Sequence, residues 1–343
     1  MTNHPRNLPN KPVIAFFALH GVQSLDVTGP MEAFAVANRF GAAYDLRLCS
    51  ELGGPISTHA GLELGPAGRL DELPLEIDTL VLCGGAEESM ISAYREGRVS
   101  EKLRRLAGRS RRVVSICTGA FVLAATGLID GRRAATHWDS AERFRQMFPQ
   151  VKLDAEVIFV VDPPYYSSAG VTAGIDLSLA LIESDHGSRM ALSIARELVL
   201  FLRRPGGQAQ FSTGISIPNA GPEPIVALAT RILEDPSGRV HGEGRKVSDL
   251  AGIVNMSERS FFRSFRRTIG TTPARFVEEA RANRAKTLLE ETGSLLDEVA
   301  YDAGFGSVDA MLRSFQKIVG ITPTAYRERF RISPSAPDGR PPH

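Results

Sequence analysis

Two stretches near the end of the chain repeat each other closely enough to dictate what they fold into. Leu250-Ala251, Asn255-Met256-Ser257, Phe265, Gly270 and Thr272-Pro273 return as Val299-Ala300, Gly304-Phe305, Ser307, Phe315, Gly320 and Thr322-Pro323. The offset is forty-nine residues before the turn and fifty after it, so the second copy holds one extra turn residue, Gly306. An insertion confined to a turn leaves the flanking helices free to pack alike. Each copy therefore reads as a short helix, a tight turn and a longer helix, a duplicated helix-turn-helix.

In the first copy a helix near 247–254 leads to Asn255, a residue type that tolerates the left-handed backbone of tight turns. Ser257 stands where an N-cap belongs and opens a helix through about Ile269. Helical spacing predicts Phe261, Phe262, Phe265 and Ile269 on a buried face, with Ser260, Arg263 and Arg267 opposite and Arg259 and Ser264 flanking. Guanidinium forks suit guanine O6/N7 as well as phosphate, so this face is expected to meet double-stranded DNA. In the second copy Met311, Leu312, Phe315 and Val319 are expected inward, Ala310, Arg313 and Lys317 outward, and Asp309 and Gln316 beside them. Thr272-Pro273 predicts the start of a helix reaching Thr292 and ended by Gly293. Such a helix would hold the two units for major-groove segments about 34 Å apart. A single pattern of this kind fits an ordinary helical bundle; two in register favour the DNA reading.

The 343 residues exceed one ordinary core and suit two domains, and 43% hydrophobic with 23% charged residues is a globular composition. No apolar run approaches the roughly 20 residues of a membrane helix, and the opening MTNHPRNLPNKP lacks a signal-peptide core. No membrane partner and a cytoplasmic location are the expectation. Three scattered cysteines, Cys49, Cys83 and Cys117, make no disulfide framework. Net charge is +1, but residues 225–331 carry about +3, an asymmetry that agrees weakly with a nucleic-acid partner.

Upstream, short β-rich runs at 13–17, 46–48, 79–83, 113–117 and 157–161 alternate with helical candidates near 30–39, 97–107, 119–127, 139–147, 175–185 and 189–202. Alternation of this sort argues for an α/β domain with a mostly parallel sheet. The domains are drawn at 11–205 and 225–331, with a Gly- and Pro-rich linker at 206–224 and a disordered tail at 332–343.

Strand Val113–Ile116 runs into Cys117, and Thr118-Gly119-Ala120 turns at once into a helix. A sharp strand-to-helix turn exposes a side chain at a helix N-terminus, where the dipole favours a thiolate. Cys117 is thus the elbow candidate, although a free cysteine is more often a small buried hydrophobe. Gly84 and Gly85 end another strand and can offer backbone donors; Glu32 is a candidate partner for the thiol; His137 and Trp138 are candidate pocket walls. Trp138 and Phe121 offer ring faces to a cationic ligand. No His/Cys spacing suggests a metal, and the glycines form neither a P-loop nor a dinucleotide fingerprint, so no metal and no cofactor are expected.

Residues 225–331 resemble the DNA-binding domain of the AraC/XylS family, on Val299-Ala300-Tyr301-Asp302-Ala303-Gly304-Phe305, Ser307, Arg313-Ser314-Phe315, Gly320, Thr322-Pro323 and Tyr326-Arg327. The resemblance places DNA contacts on Ser257, Arg259, Ser260 and Arg263, and on Ser307, Val308, Asp309, Ala310 and Arg313. Residues 12–203 resemble the ThiJ/PfpI superfamily, which is class I glutamine amidotransferase-like, on LDVTGPMEAF, SICTGAFVLAATGLIDGRRAATHW and AGVTAGIDLSLALIE. They look most like the sensor of GlxA-type AraC regulators.

The resemblance implies a flavodoxin-like, mostly parallel α/β sensor followed by an all-α domain with two helix-turn-helix motifs. It also implies a transcription regulator, dimeric through the N-terminal domain, that answers to a small nitrogenous metabolite, with RNA polymerase as a further candidate partner. Asp26, Glu32, Gly85, Cys117, Thr118, His137 and Trp138 are the effector-pocket candidates. The alternative is a cysteine-dependent hydratase or amidase with DNA binding as a second activity. Thr118 stands where hydrolytic relatives place His, whereas the isonitrile-hydratase branch shares the Cys-Thr elbow and the LD-x-x-G-P-x-E pattern with Asp26 and Glu32.

Overall fold

A computed structural model describes residues 11–74, 77–95, 98–200, 202, 207–208, 223–238 and 246–331. The chain divides into two compact units, Met1–Arg204 and Pro205–His343. Most of the expected linker and all of the expected tail lie outside the described residues.

The first unit runs β1 (Val13–Phe17), α1 (Ser24–Arg39), β2 (Asp45–Ser50), β3 (Gly54–Ser57), β4 (Glu63–Arg69), β5 (Ile77–Leu82), α2 (Glu87–Arg95), α3 (Arg98–Ala107), β6 (Ser110–Ile116) and α4 (Gly119–Ala125). It continues through β7 (Arg133–Ala134), α5 (Ala141–Met147), β8 (Lys152–Leu153), β9 (Phe159–Asp162), β10 (Tyr165–Ser168), α6 (Thr172–His186) and α7 (Ser188–Glu197). Eight strands form one sheet in the order β3-β4-β2-β1-β5-β6-β10-β9. Pairing is parallel from β4 through β10, and antiparallel only at the two edges, β3 with β4 and β9 with β10. The sheet is mostly parallel, as the alternation implied.

Alternate residues of each buried strand serve opposite cores. Ile14 and Phe16 of β1 join Val27, Phe34, Leu177, Leu181 and Ile194 beneath α1, α6 and α7. Ala15 and Phe17 join Met90, Leu103, Phe121, Leu123 and Phe144 beneath α2 to α5. Helix α1 begins at Ser24, earlier than the Gly29-Pro30 start that sequence suggests, and carries Pro30 inside it. Val27 and Pro30 are buried against the rest of the unit, which holds the extra turns in place.

At the amino ends of β5 and β6 a buried ion network replaces apolar packing. Arg112, 2% exposed, donates from Nη1 and Nη2 to both carboxylate oxygens of Asp185 at 3.1 and 2.6 Å, and from Nε to Thr79 Oγ1 at 2.7 Å. The Tyr44 hydroxyl donates to Asp185 Oδ2 at 2.8 Å, and Arg111 bridges Asp185 to Asp78.

The second unit is helical among its described residues: α8 (Glu223–Glu234), α9 (Val247–Ile253), α10 (Glu258–Ile269), α11 (Pro273–Glu291), α12 (Leu296–Asp302), α13 (Val308–Val319) and α14 (Pro323–Phe330). It has two cores. One gathers Leu228, Ile232, Leu250, Phe261, Phe265, Phe276 and Val277; the other gathers Leu288, Leu289, Val299, Met311, Phe315 and Tyr326. Helix α11, of 19 residues and thus about 28 Å long, lends its first half to one core and its second half to the other. The two modules are joined through a shared helix, not a loop.

The caps repeat as the sequence does. Ser257 and Ser307 accept the backbone N–H groups of Ser260 and Ala310 at 3.3 and 3.1 Å, and Thr272 and Thr322 do the same for Arg275 and Ala325. Gly270 and Gly320 end α10 and α13 in the left-handed conformation, both at φ 84°. Asn255 takes φ 53° in the first turn, and Gly304 takes φ 84° in the second. A Cβ on Gly304 would lie 2.5 Å from Ser237 Cα, so the second turn has no room for the asparagine of the first. Thr292, not Gly293, ends α11 by leaving it in an extended conformation.

The inward faces differ from expectation by one position in each copy. Phe262 is 41% exposed and Leu312 half-buried, whereas Ser264 and Ser314 are buried. Spacing of i, i+3, i+4 and i+7 selects Phe261, Ser264, Phe265 and Thr268 as the face that α8, α9 and α11 cover. Phe262 lies one residue outside it, between Arg259 and Arg266 on the helix surface.

Candidate functional site

The reading helix of the first module carries more exposed charge than that of the second. Helix α10 has four arginines against one glutamate, and Arg259, Arg263, Arg266 and Arg267 are all exposed. None of the four is ion-paired among the described residues. Ser257 fixes the helix start, and Ser260 is half-buried beside it. Arg266 and Phe262 join the DNA-facing candidates; an all-or-none apolar wheel hides both.

Helix α13 is less free. Lys317 Nζ pairs with Glu278 Oε2 on α11 at 3.0 Å, and the Gln316 amide donates to the Gly320 carbonyl at 2.9 Å. Ser307 caps the helix, Asp309 is exposed, and Arg313 is the one exposed cation of α13 without an ion pair among the described residues. Two of the outward residues expected to reach DNA are thus partly engaged inside the protein.

In the first unit the backbone turns at Cys117, whose φ is 55°. Positive φ on a non-glycine residue is uncommon, and here neighbours hold it. The Cys117 N–H donates to the Ser168 carbonyl at 3.0 Å, and the Thr136 hydroxyl donates to the Cys117 carbonyl at 3.0 Å. Gly170 lies so close that a Cβ there would sit 2.2 Å from Cys117 Cβ. The elbow is a packed junction of β6, β10 and the start of α6.

Asp26 projects into this junction from α1 and is completely buried. Its Oδ1 accepts the Val171 N–H at 2.5 Å, and Oδ2 is buried without a hydrogen-bond partner. Burial pushes its carboxyl up to about 7, against the opposing pull of the Val171 N–H and the Cys117 thiol. Burial, and then the charge of Asp26, push the Cys117 thiol well above its ordinary range. The thiolate expected from the helix dipole is therefore corrected: desolvation outweighs the helix N-terminus, because Cys117 is only 9% exposed.

Three other expectations change. Glu32 is exposed and does not face Cys117, since six residues along α1 place it about 240° around the helix from Asp26. Gly85 is not a free donor: its N–H donates to Thr118 Oγ1 at 2.8 Å, and the Thr118 hydroxyl donates back to its carbonyl at 2.8 Å. Thr118, 4% exposed, is a buried clasp between the β5 and β6 loop ends. Phe121 is fully buried against Phe144 and Phe148 and presents no face to a ligand.

His137 and Trp138 are half-buried, with ring centroids 5.4 Å apart. They directly follow Thr136, which ties their segment to the elbow. His137 Nδ1 accepts the Asp139 N–H at 3.4 Å, and burial lowers its pKa, keeping the ring neutral. Ser168, Gly170, Val171 and Thr136 are site residues that sequence reasoning missed; three of them act through backbone atoms or close approach, which no side-chain pattern announces. Among the described residues no cluster of His, Cys, Asp and Glu could hold a metal ion.

Comparison with known proteins agrees with this division. Residues 12–184 match the DJ-1/PfpI family and residues 250–329 match a helix-turn-helix domain. The HTH-type transcriptional regulator CdhR of Pseudomonas aeruginosa is 31% identical over 93% of this chain and 89% of its own length. The HTH-type transcriptional regulator GlxA of Rhizobium meliloti is 27% identical over 81% of this chain and 83% of its own length. Among solved structures, a ThiJ/PfpI family protein from Pseudomonas syringae superposes with a TM-score of 0.51 at 22% identity, covering 59% of this chain and 84% of that one.

Proposed function

The chain belongs to the DJ-1/PfpI family and is a transcriptional regulator of the GlxA type, and on that footing we propose that a small nitrogenous metabolite bound at the Asp26–Cys117 junction controls its grip on DNA. The observation that carries this reading is Asp26: a fully buried carboxyl with one oxygen unpartnered, beside a strained cysteine. A buried polar atom left without a partner is costly, and a ligand that supplies one gains what the free protein lacks. Binding changes DNA engagement only if the metabolite has different affinity for the two states of the protein. In this reading the N-terminal units pair two chains in the cytoplasm, each presents α10 and α13 to an operator, and RNA polymerase meets the DNA-bound form.

Catalysis is disfavoured by the same geometry. A nucleophilic cysteine needs its thiolate, which burial and Asp26 oppose, and the Thr118 hydroxyl is engaged with Gly85. Regulators, not enzymes, are what the long matches name.

A thermal-shift screen with amino acids and methylated amines tests the effector. A ligand at 100 times its Kd should stabilise the protein by about 2.7 kcal/mol. Cys117→Ala and Asp26→Asn should each abolish the shift and the ligand response of a reporter; a response that survives both removes the junction from sensing. Turnover of isonitriles or amides at an enzyme-like rate would establish the hydratase reading instead.

Arg263→Ala should weaken operator binding by about 1–3 kcal/mol while leaving random DNA little changed, because a bidentate base contact discriminates by that much. Equal losses on both DNAs in a gel-shift titration would make Arg263 a phosphate clamp.

A further inference from the structure

On the opposite face of the sheet from the Asp26–Cys117 junction, a cavity of about 160 Å³ opens between α3 and the turn that follows β4. Its apolar wall is made by Leu70, Leu73 and Leu106, all part of the core beneath α2 to α5. Around the wall stand three cations, Lys102, Arg105 and Arg109. Lys102, Arg105, Leu106 and Arg109 follow at i, i+3, i+4 and i+7, so the helical repeat carried on past the end of α3 brings them to one side.

None of these cations is ion-paired among the described residues. The one carboxylate in the lining, Asp71, is already held by Arg69 at 3.1 Å, and Arg69 first, then Lys102, lower its pKa. The cavity thus has excess positive charge over an apolar wall.

We propose that this cavity is a second ligand site of the N-terminal unit, selective for a small organic carboxylate with a compact apolar body. A cavity of about 150 Å³ accepts a body the size of benzene, so the apolar part is limited to a single ring or a short branched chain. The carboxylate meets the Arg105 and Arg109 guanidinium groups, which bind carboxylates in paired, charge-assisted hydrogen bonds, with Lys102 as a point charge. None of the lining residues belongs to the Cys117 junction. The proposal stands whether or not the metabolite reading of that junction holds.

Calorimetric titration of the full-length protein with cyclohexanecarboxylate tests this, with cyclohexylmethanol as the neutral isostere and inorganic phosphate as the bare anion. Saturable binding in the millimolar range or tighter is expected, weakened about tenfold or more for both comparison compounds, since body and charge each contribute. Arg105→Gln and Arg109→Gln should each lower the affinity about tenfold or more without moving the melting temperature, and Cys117→Ala should leave it unchanged. Phosphate binding as tightly as the carboxylate overturns the apolar part. Loss of binding in Cys117→Ala alone places the compound at the junction and overturns the site. No saturable binding, or cation variants that lose only affinity for random DNA, also overturn it.

Discussion

Replacing Arg112 with alanine is expected to destabilise the N-terminal unit by about 3–5 kcal/mol, because removing one member of a buried ion pair strands the other. Arg112 makes two of the bonds to Asp185 and one to Thr79, and both groups lie in or near the core. Burial pulls the Asp185 carboxyl upward, but the charge and hydrogen bonds of Arg112, helped by Arg111, hold it below the usual carboxylate range. Without Arg112 the desolvation of Asp185 is left opposed by Arg111, which is half-exposed, and by the Tyr44 hydroxyl. The surviving Arg111 contact places the effect toward the low end of the range. Urea unfolding with an unchanged m-value measures it. A loss below about 1 kcal/mol would mean that Arg111 alone satisfies Asp185. Replacing the pair together, Arg112→Met with Asp185→Leu, should cost less than Arg112→Ala, since an apolar pair leaves no stranded charge.

The parts of the fold legible in the sequence are those that depend on one residue's own chemistry. Ser257, Ser307, Thr272 and Thr322 cap helices because a short side-chain oxygen reaches the next turn, and Gly270 and Gly320 end them because they lack a Cβ. What escaped depends on neighbours. Strands β3 and β4, Gly-Pro-Ile-Ser and Glu-Leu-Gly-Pro-Ala-Gly-Arg, have little strand propensity; β3 tolerates its proline as an edge strand, and Pro66 of β4 falls at the register shift between the Gly54–Ala67 and Ile56–Leu64 pairs. Phe262 and Ser264 trade places with expectation because apolar content ranks phenylalanine above serine, while the contacts of α10 select by angle.

At the junction the same contrast recurs. The elbow at Cys117 is visible as a strand running straight into Thr-Gly-Ala, and Asp26 as part of an early motif. That Asp26 faces the thiol and Glu32 faces away follows from the start of α1, which the Gly29-Pro30 pair conceals. Thiol acidity has two opposed causes, and only the helix N-terminus can be read from sequence. Burial, which prevails, is a property of the assembled unit.

Asp26 then makes stability depend on pH in a direction opposite to that of an ordinary paired carboxylate. Its folded pKa, about 7, lies above its value of 3.8 in the absence of the fold. Below about pH 4 the group is protonated in folded and unfolded chains alike, and burial carries no charge penalty. Between about 4 and 7 the unfolded chain releases the proton while the fold retains it, so stability falls by about 1.4 kcal/mol per pH unit. Above about 7 the loss levels off, near 4 kcal/mol if no other group compensates. The groups that face Asp26 are the Cys117 and Cys83 thiols and the Val171 N–H, and the thiols are held protonated across that range. Neither thiol can offset the trend.

Asp26→Asn keeps an acceptor for Val171 and removes the titration. Its stability relative to the native protein should therefore rise from pH 4 to pH 8 by about 3–4 kcal/mol, whatever constant offset the new amide group introduces. Urea midpoints of the two proteins across that range give the difference directly. A constant difference would mean that Asp26 ionises in the fold as it does in the unfolded chain, with the junction then holding a carboxylate anion. A rising one means that Asp26 keeps its proton in the fold far above the ordinary carboxylate range and is near half-ionised only close to pH 7, beside a Cys117 thiol that stays protonated, a site suited to recognising a ligand and poorly suited to nucleophilic attack.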